Sequence, residues 1–415
     1  MDKREIGRVR AELDEYVSDV FASLARRDQR TKGSLYLQGL MLDGRRKSMQ
    51  PMGDRLGIDY QQLQQFVSCS PWPVEPVRRK LVSRAIDVIQ PEAWVVDDTG
   101  FVKDGPASPG VARQYSGSLG KIGNVQIGVS VHAVTDQASC PLEWRLFLPE
   151  KWDDACAETS EEAEHIAVRR QRAKIPDIAG HQTKWEQALE MLDELDTWGY
   201  RPQVMVGDAG YGEIGPLRTG LTERQIPYVV QVKATTSVHD VDAPFELPDS
   251  TGKTGRPFTK PSYRTKPVQA RQYAGDLPEE AFEEVAWRQG SKGVLTSRFA
   301  ACRVRPANRN LPKDADGTLP VCWLLIEWPE NEAEPSDYWL STLPESTPVA
   351  ELVRFGKIRW RIEHDYRELK HGLGLDHFEG RTWLGWHHHV TLVTAAHLFI
   401  TEQRLRGDPK AGGVA

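Results

Sequence analysis

The chain has 415 residues, of which 39% are hydrophobic and 27% charged, and a formal net charge of −6. That length exceeds one compact domain and supplies a core without disulfides, which excludes a disordered or low-complexity chain. The longest near-apolar stretch, 390–400, falls far short of a bilayer span, and the first residues carry no apolar leader, so a cytoplasmic protein with no membrane segment is expected.

The five cysteines, Cys69, Cys140, Cys156, Cys302 and Cys322, are scattered without a C-x-x-C pair, which points to reduced thiols. Residues 1–90 hold 16 Lys and Arg against 12 Asp and Glu, so a basic front precedes an acidic body. Selected faces can then hold a polyanion despite the negative total.

Val9, Leu13, Val17, Phe21 and Leu24 recur at helical spacing and predict an amphipathic first helix. A short helix capped by Ser48 and ending at Gly57, then another capped by Asp59 and carrying Leu63, Phe66 and Val67, have helix-turn-helix proportions. The same pattern also suits a small helical bundle. Pro71, Pro73 and Pro76 are expected to close this region, giving a helical DNA-binding part over 1–90.

Strands are predicted at 93–98, 125–134 and 142–148, then a helix near 183–195, a strand at 203–206, a helix near 214–224 and a strand at 228–232. The order βββαβαβ is that of a ribonuclease-H-like core, whose first part is placed at 91–235. Residues 236–345, rich in Pro, Gly, Thr and charge and containing a buried strand at 321–327, read as a β-rich insertion. A helical C-terminal part of the core follows at 346–405. The fold class expected is α/β: a mixed-sheet ribonuclease-H-like core, interrupted by the insertion and preceded by a helical domain.

Three segments place a carboxylate where chemistry can use it. Val95-Val96-Asp97-Asp98-Thr99-Gly100 puts an acid at the expected end of the first strand, and Val206-Gly207-Asp208-Ala209-Gly210-Tyr211-Gly212 does so for the fourth. An acid before a glycine turn also serves as a simple cap. The third segment, Arg359 to Lys370, reads as a helix with Arg359, Glu363, Arg367 and Lys370 on one stripe. A solvated face with i,i+4 ion pairs has that pattern, and so does a metal-binding acid flanked by phosphate-holding cations.

Together these segments resemble the DDE transposases of bacterial insertion sequences, in the branch with a Y-(2)-R-(3)-E-(6)-K signature. Arg359, Glu363 and Lys370 match R, E and K, whereas Gly356 stands at the tyrosine position. Gly110 to Tyr115, Gly120 to Asn124 and Gly374 to Arg381 are also similar to that family. The resemblance implies Asp98, rather than Asp97, with Asp208 and Glu363 as catalytic acids. They would hold two Mg²⁺ ions, with Mn²⁺ as a substitute.

The resemblance further implies Mg-dependent cut-and-paste cleavage of transposon ends and strand transfer to target DNA. Double-stranded DNA is the implied partner and a homodimer the implied synaptic form, working at the nucleoid. Arg359, Arg367 and Lys370 would grip phosphate, Arg113 and Lys121 would line the DNA path, and Trp339 would stack a flipped base. Core packing is the other reading of Trp339, and solvation the other reading of the loop cations. Adjacent His387, His388 and His389 point in different directions on a helix, which favours a packed or solvent-facing cluster over metal binding. Other functions left open are a nuclease that cuts without rejoining, a domesticated DNA-binding protein without catalysis, and a haloacid-dehalogenase-type phosphatase. The adjacency of Asp97 and Asp98 and the Arg359/Glu363/Lys370 stripe argue against the last.

Overall fold

The structure is a computed structural model that describes residues 3–247, 260–290, 293–307 and 311–407. It divides into two compact units, the first comprising 3–201 with 360–407 and the second the described part of 202–359. The division falls differently from the expected boundaries at 90, 235 and 345.

The first unit opens with α1 (Lys3–Val20), α2 (Arg27–Met41), α3 (Met49–Leu56), α4 (Tyr60–Ser68) and α5 (Val74–Ile89). Leu13, Val17, Phe21 and Leu24 are buried as their spacing requires, although the helix stops at Val20. Gly57, at φ +66°, ends α3 in the left-handed conformation that glycine tolerates best. The Asp59 carboxylate then caps α4 by accepting from the Gln61 N–H at 2.9 Å. Ser48 occupies the N-cap of α3 without a side-chain cap bond.

The proline cluster does not close the helical region. Pro73 is the N-cap of α5 and Pro76 lies in its first turn, where a missing N–H costs nothing.

Next come β1 (Ala93–Val102), β2 (Ala112–Ser116), β3 (Lys121–Val134) and β4 (Ser139–Leu146), all antiparallel, with β3 pairing all three of the others. β1 runs four residues beyond the expected end because its ladder with β3 continues from Ala93↔Val134 to Val102↔Val125. Asp98 is therefore an interior strand residue.

The acidic span after β4 forms α6 (Ser160–Ala173), capped by Thr159, whose hydroxyl accepts from the Glu162 N–H. α7 (Lys184–Thr197) starts where expected, in a capping box: the Glu186 carboxylate accepts from the Thr183 N–H at 2.8 Å.

The second unit begins with β5 (Met205–Gly207), α8 (Ala209–Gly212), α9 (Gly215–Glu223) and β6 (Tyr228–Val232), with β5 and β6 parallel. The insertion supplies β7 (Ser237–Asp240), the short pair β8 (Phe245–Glu246) and β9 (Ser262–Tyr263), β10 (Val268–Gln269), α10 (Ala270–Gly275), β11 (Glu283–Gly290) and β12 (Gly293–Pro306). β13 (Cys322–Trp328) and β14 (Asp337–Ser341) follow, and α11 (Val349–Lys357) packs on the sheet. Within this unit the strand order is β10-β7-β12-β13-β14-β6-β5, with β11 on β12. The insertion is β-rich as its composition indicates, and 248–259, 291–292 and 308–310 lie outside the described residues.

The chain returns to the first unit with α12 (Trp360–Arg367), a π-helical turn at Glu368–Gly372, and α13 (Trp383–Gly407). α13 is buried on most sides, as its near-apolar run at 390–400 demands. The order of four antiparallel strands, two helices, a strand, two further helices and a strand parallel to the last makes this a ribonuclease-H-like α/β fold.

Candidate active site

Asp98 sits in β1 opposite Val129, and Asp97 opposite Ser130. Directly opposed residues share a face and successive ones alternate, so the two aspartates project to opposite sides of the strand. The Asp98 Oδ2 atom is 2.9 Å from the Lys184 Nζ atom, at the start of α7, and its side chain is 26% exposed. The Asp97 Oδ1 atom accepts from the Asp98 backbone N–H at 2.7 Å.

The Asp97 face carries a buried polar chain. Ser130 lies 2.7 Å from the Tyr366 hydroxyl and 2.9 Å from His132 Nε2, and His132 Nδ1 lies 2.9 Å from Asp365 Oδ2. Ser139 donates to Asp365 Oδ1 at 2.6 Å. Burial holds His132 below the usual histidine range, partly offset by Asp365, so the imidazole is neutral at pH 7. A neutral ring fixes one order of donation: Tyr366 to Ser130, Ser130 to Nε2, and Nδ1–H to the Asp365 carboxylate. Burial opposes ionisation of Asp365, but the bonds from His132 and Ser139 and the nearby His397 hold it below the usual carboxylate range. Burial also pushes the Tyr366 hydroxyl well up, reinforced by the charge of Asp97.

Glu363 is exposed on α12, two residues before Asp365 and three before Tyr366. The network therefore anchors the helix that carries Glu363 onto β3, the neighbour of β1, and onto β4. Asp208, in the second unit, caps α8: its Oδ1 atom accepts from the Tyr211 N–H at 3.2 Å. Gly212 is required here, since a Cβ at that position would stand 1.9 Å from the Gln231 carbonyl oxygen.

The predicted cations separate by environment. Arg113, Lys121 and Arg367 are exposed, and Arg359 is half-buried. Lys370 lies in the π-helical turn, off the regular helical phase of Glu363, and donates to the Gly100 carbonyl at 2.9 Å. Burial lowers its pKa, partly offset by Asp376. That geometry ties Lys370 to the backbone of β1 rather than leaving it on the open stripe expected from a regular helix.

Trp339 is only 4% exposed, and its ring lies under the Lys357 ammonium, 5.2 Å from Nζ to centroid. At the signature tyrosine position Gly356 is buried, and a Cβ there would meet Leu325 and the Trp339 ring at 3.4 Å, so a phenol would press on both.

His387, His388 and His389 are packed in three directions. His387 Nδ1 faces Arg78, His388 faces the Val67 and Trp72 carbonyls, and His389 faces the Tyr36 hydroxyl and the Leu375 carbonyl. Among the described residues, no three His, Cys, Asp or Glu side chains are grouped closely enough to hold a metal ion, and no helix is long and apolar enough to cross a membrane. The polar chain through Ser130, His132 and Asp365 was not anticipated. Alternating Ser130 and His132 in the otherwise apolar second half of β3, 127–134, was the one available signal.

Comparison with known proteins agrees with these observations. Residues 19–294 match the family model described as DDE superfamily endonuclease, a span that contains Asp98 and Asp208 and ends before Glu363. Over 200 residues the chain is 28% identical to the "Probable transposase for insertion sequence element IS701" of Microchaete diplosiphon, a match that spans 47% of each chain. With the matched span covering most of its length, and the strand order and acidic motifs found above, the chain belongs to the DDE superfamily of endonucleases.

Proposed function

We propose that the protein is the transposase of an insertion sequence, cutting double-stranded DNA at the element's ends and joining those ends to target DNA. Asp98, Asp208 and Glu363 are its catalytic acids in this reading. The observation that carries it is the DDE-family match across both aspartate motifs, to which the R-(3)-E-(6)-K spacing adds Glu363.

The donor chemistry suits Mg²⁺ or Mn²⁺, because carboxylate oxygens are the hard ligands those ions take. The Asp98 carboxylate already attracts a cationic group, the Lys184 ammonium. Two such ions, held by Asp98, Asp208 and Glu363, would supply Lewis-acid activation of the phosphoryl group and of the attacking hydroxyl.

The chain's own residues do the positioning. β1, paired with β3 along its whole length, fixes Asp98, and the Asp365 network fixes the helix of Glu363. The exposed Arg113, Lys121 and Arg367, with Arg359, would hold phosphates of the strand. Gly356 deletes the signature tyrosine, which makes a DNA-hairpin step less supported than the nick. A homodimer would bring two ends together at the nucleoid.

The test is excision in cells. A marker flanked by the inverted repeats bordering the gene should leave its donor site when this protein is supplied and stay when it is not. Excision without reinsertion would favour a nuclease that does not rejoin, and no excision with correctly paired repeats would reject the proposal.

A further inference from the structure

Lys184 opens α7, where the helix dipole disfavours a cation, and the first turn otherwise holds Glu186. A lysine at that position needs an offsetting partner, and Asp98 Oδ2 supplies it at 2.9 Å. The ammonium also lies 5.8 Å from the centre of the Phe147 ring. Both members of the pair are partly exposed, Lys184 at 32% and Asp98 at 26%, so solvent and solutes reach the bond. The α7 start is itself held by the capping box between Thr183 and Glu186, which delivers the lysine stem to β1 from a fixed point.

We infer that Lys184 is an internal counter-ion of the acid site, occupying the Asp98 carboxylate in competition with the divalent cation and setting the cation concentration the enzyme requires. This inference rests on the reading of Asp98 as a metal ligand. The ammonium holds one oxygen of the Asp98 carboxylate and repels a second cation there, so divalent-ion binding and the Lys184 contact oppose each other. The lysine stem is long and its head is partly solvated, and displacement therefore needs only a rotamer change. The pair would keep Asp98 neutralised and oriented until ion and DNA arrive.

The experiment measures Mn²⁺ binding by the rise in melting temperature of the full chain without DNA, across a Mn²⁺ series. Lys184→Met should lower the half-saturating Mn²⁺ concentration by about three-fold, in line with the modest worth of a partly exposed ion pair. Lys184→Arg keeps the charge and should stay near wild type. Asp98→Asn should lose the saturable rise altogether.

If Asp98→Asn abolishes the rise while Lys184→Met matches wild type, Asp98 is a ligand and the competition is refuted. If Asp98→Asn leaves the rise intact, the metal-ligand reading fails first and the inference falls with it. Should Lys184→Met not fold, Lys184→Gln carries the same expectation, and a half-saturating Mn²⁺ concentration at or above the wild-type one in the neutral variant that folds would overturn the inference.

Discussion

Asp365 accepts a hydrogen bond from His132 across 2.9 Å of fully buried interior, and through this contact the helix carrying Glu363 is fixed to the strand that pairs with Asp97 and Asp98. Removing the carboxylate strands two donors, His132 Nδ1–H and the Ser139 hydroxyl. Asp365→Ala should therefore destabilise the fold by about 2–5 kcal/mol, because each buried donor left without an acceptor costs about 1–3 kcal/mol. Asp365→Asn, which keeps the shape, should cost less. Urea unfolding of both variants measures this, and an Asp365→Ala protein as stable as wild type would remove the network from any anchoring role.

A pH dependence follows from the packed histidines of α13. Burial lowers all three, His388 to about 4 and His389 to about 3, against an ordinary value near 6.5 in the unfolded chain. Between pH 6.5 and 4 the unfolded chain thus binds more protons than the folded one, so stability rises with pH through this window and falls on acidification. Each such histidine contributes roughly 1.4 kcal/mol per pH unit once well below 6.5. Melting temperature should drop from pH 7 to pH 5, and His388→Gln should flatten the slope even if it lowers stability overall.

The cations should separate in a salt series. Each exposed phosphate contact contributes about 0.9 to the slope of log affinity against log salt on duplex DNA. Arg367→Ala and Lys121→Ala should each lower that slope by roughly this amount with little change in melting. Lys370→Met, which loses its bond to the Gly100 carbonyl, should instead destabilise by roughly 1–3 kcal/mol and leave the slope unchanged. A reduced slope for Lys370→Met would return that lysine to the phosphate.

Restoring the signature tyrosine should not restore its function. Gly356→Tyr forces a phenol against Leu325 and Trp339 and should cost at least about 1–3 kcal/mol by overpacking. A Gly356→Tyr protein that melts at the wild-type temperature would show that α11 shifts freely.

Local chemistry was legible and non-local pairing was not. The cap at Asp59, the helix start near Thr183 and the strand at 228–232 follow from a few adjacent residues, and each stands where expected. β1 ran past its predicted end because Thr99 to Val102 are held by Val125 to Gly128, distant in sequence. α5 was lost to a proline rule that does not apply in a first turn, and α6 to a charge-rich composition that hid its cap. The one-stripe reading of Lys370 assumed a regular helix, and the π-helical turn changes its phase. Burial of Trp339 depends on α11 closing over it, which no local pattern reports.

The most direct test is cleavage of labelled element-end DNA in Mg²⁺ by Asp97→Asn, Asp98→Asn, Asp208→Asn and Glu363→Gln, with end binding measured alongside. Loss of cleavage with binding retained is expected for the last three, because each removes a catalytic carboxylate without touching the DNA-holding surface. Asp97→Asn should keep measurable cleavage, since Asp97 projects from the opposite side of β1 and serves the Asp98 backbone. An inactive Asp97→Asn beside an active Asp98→Asn would contradict the account and move the first acid to the face shared with Ser130 and Tyr366.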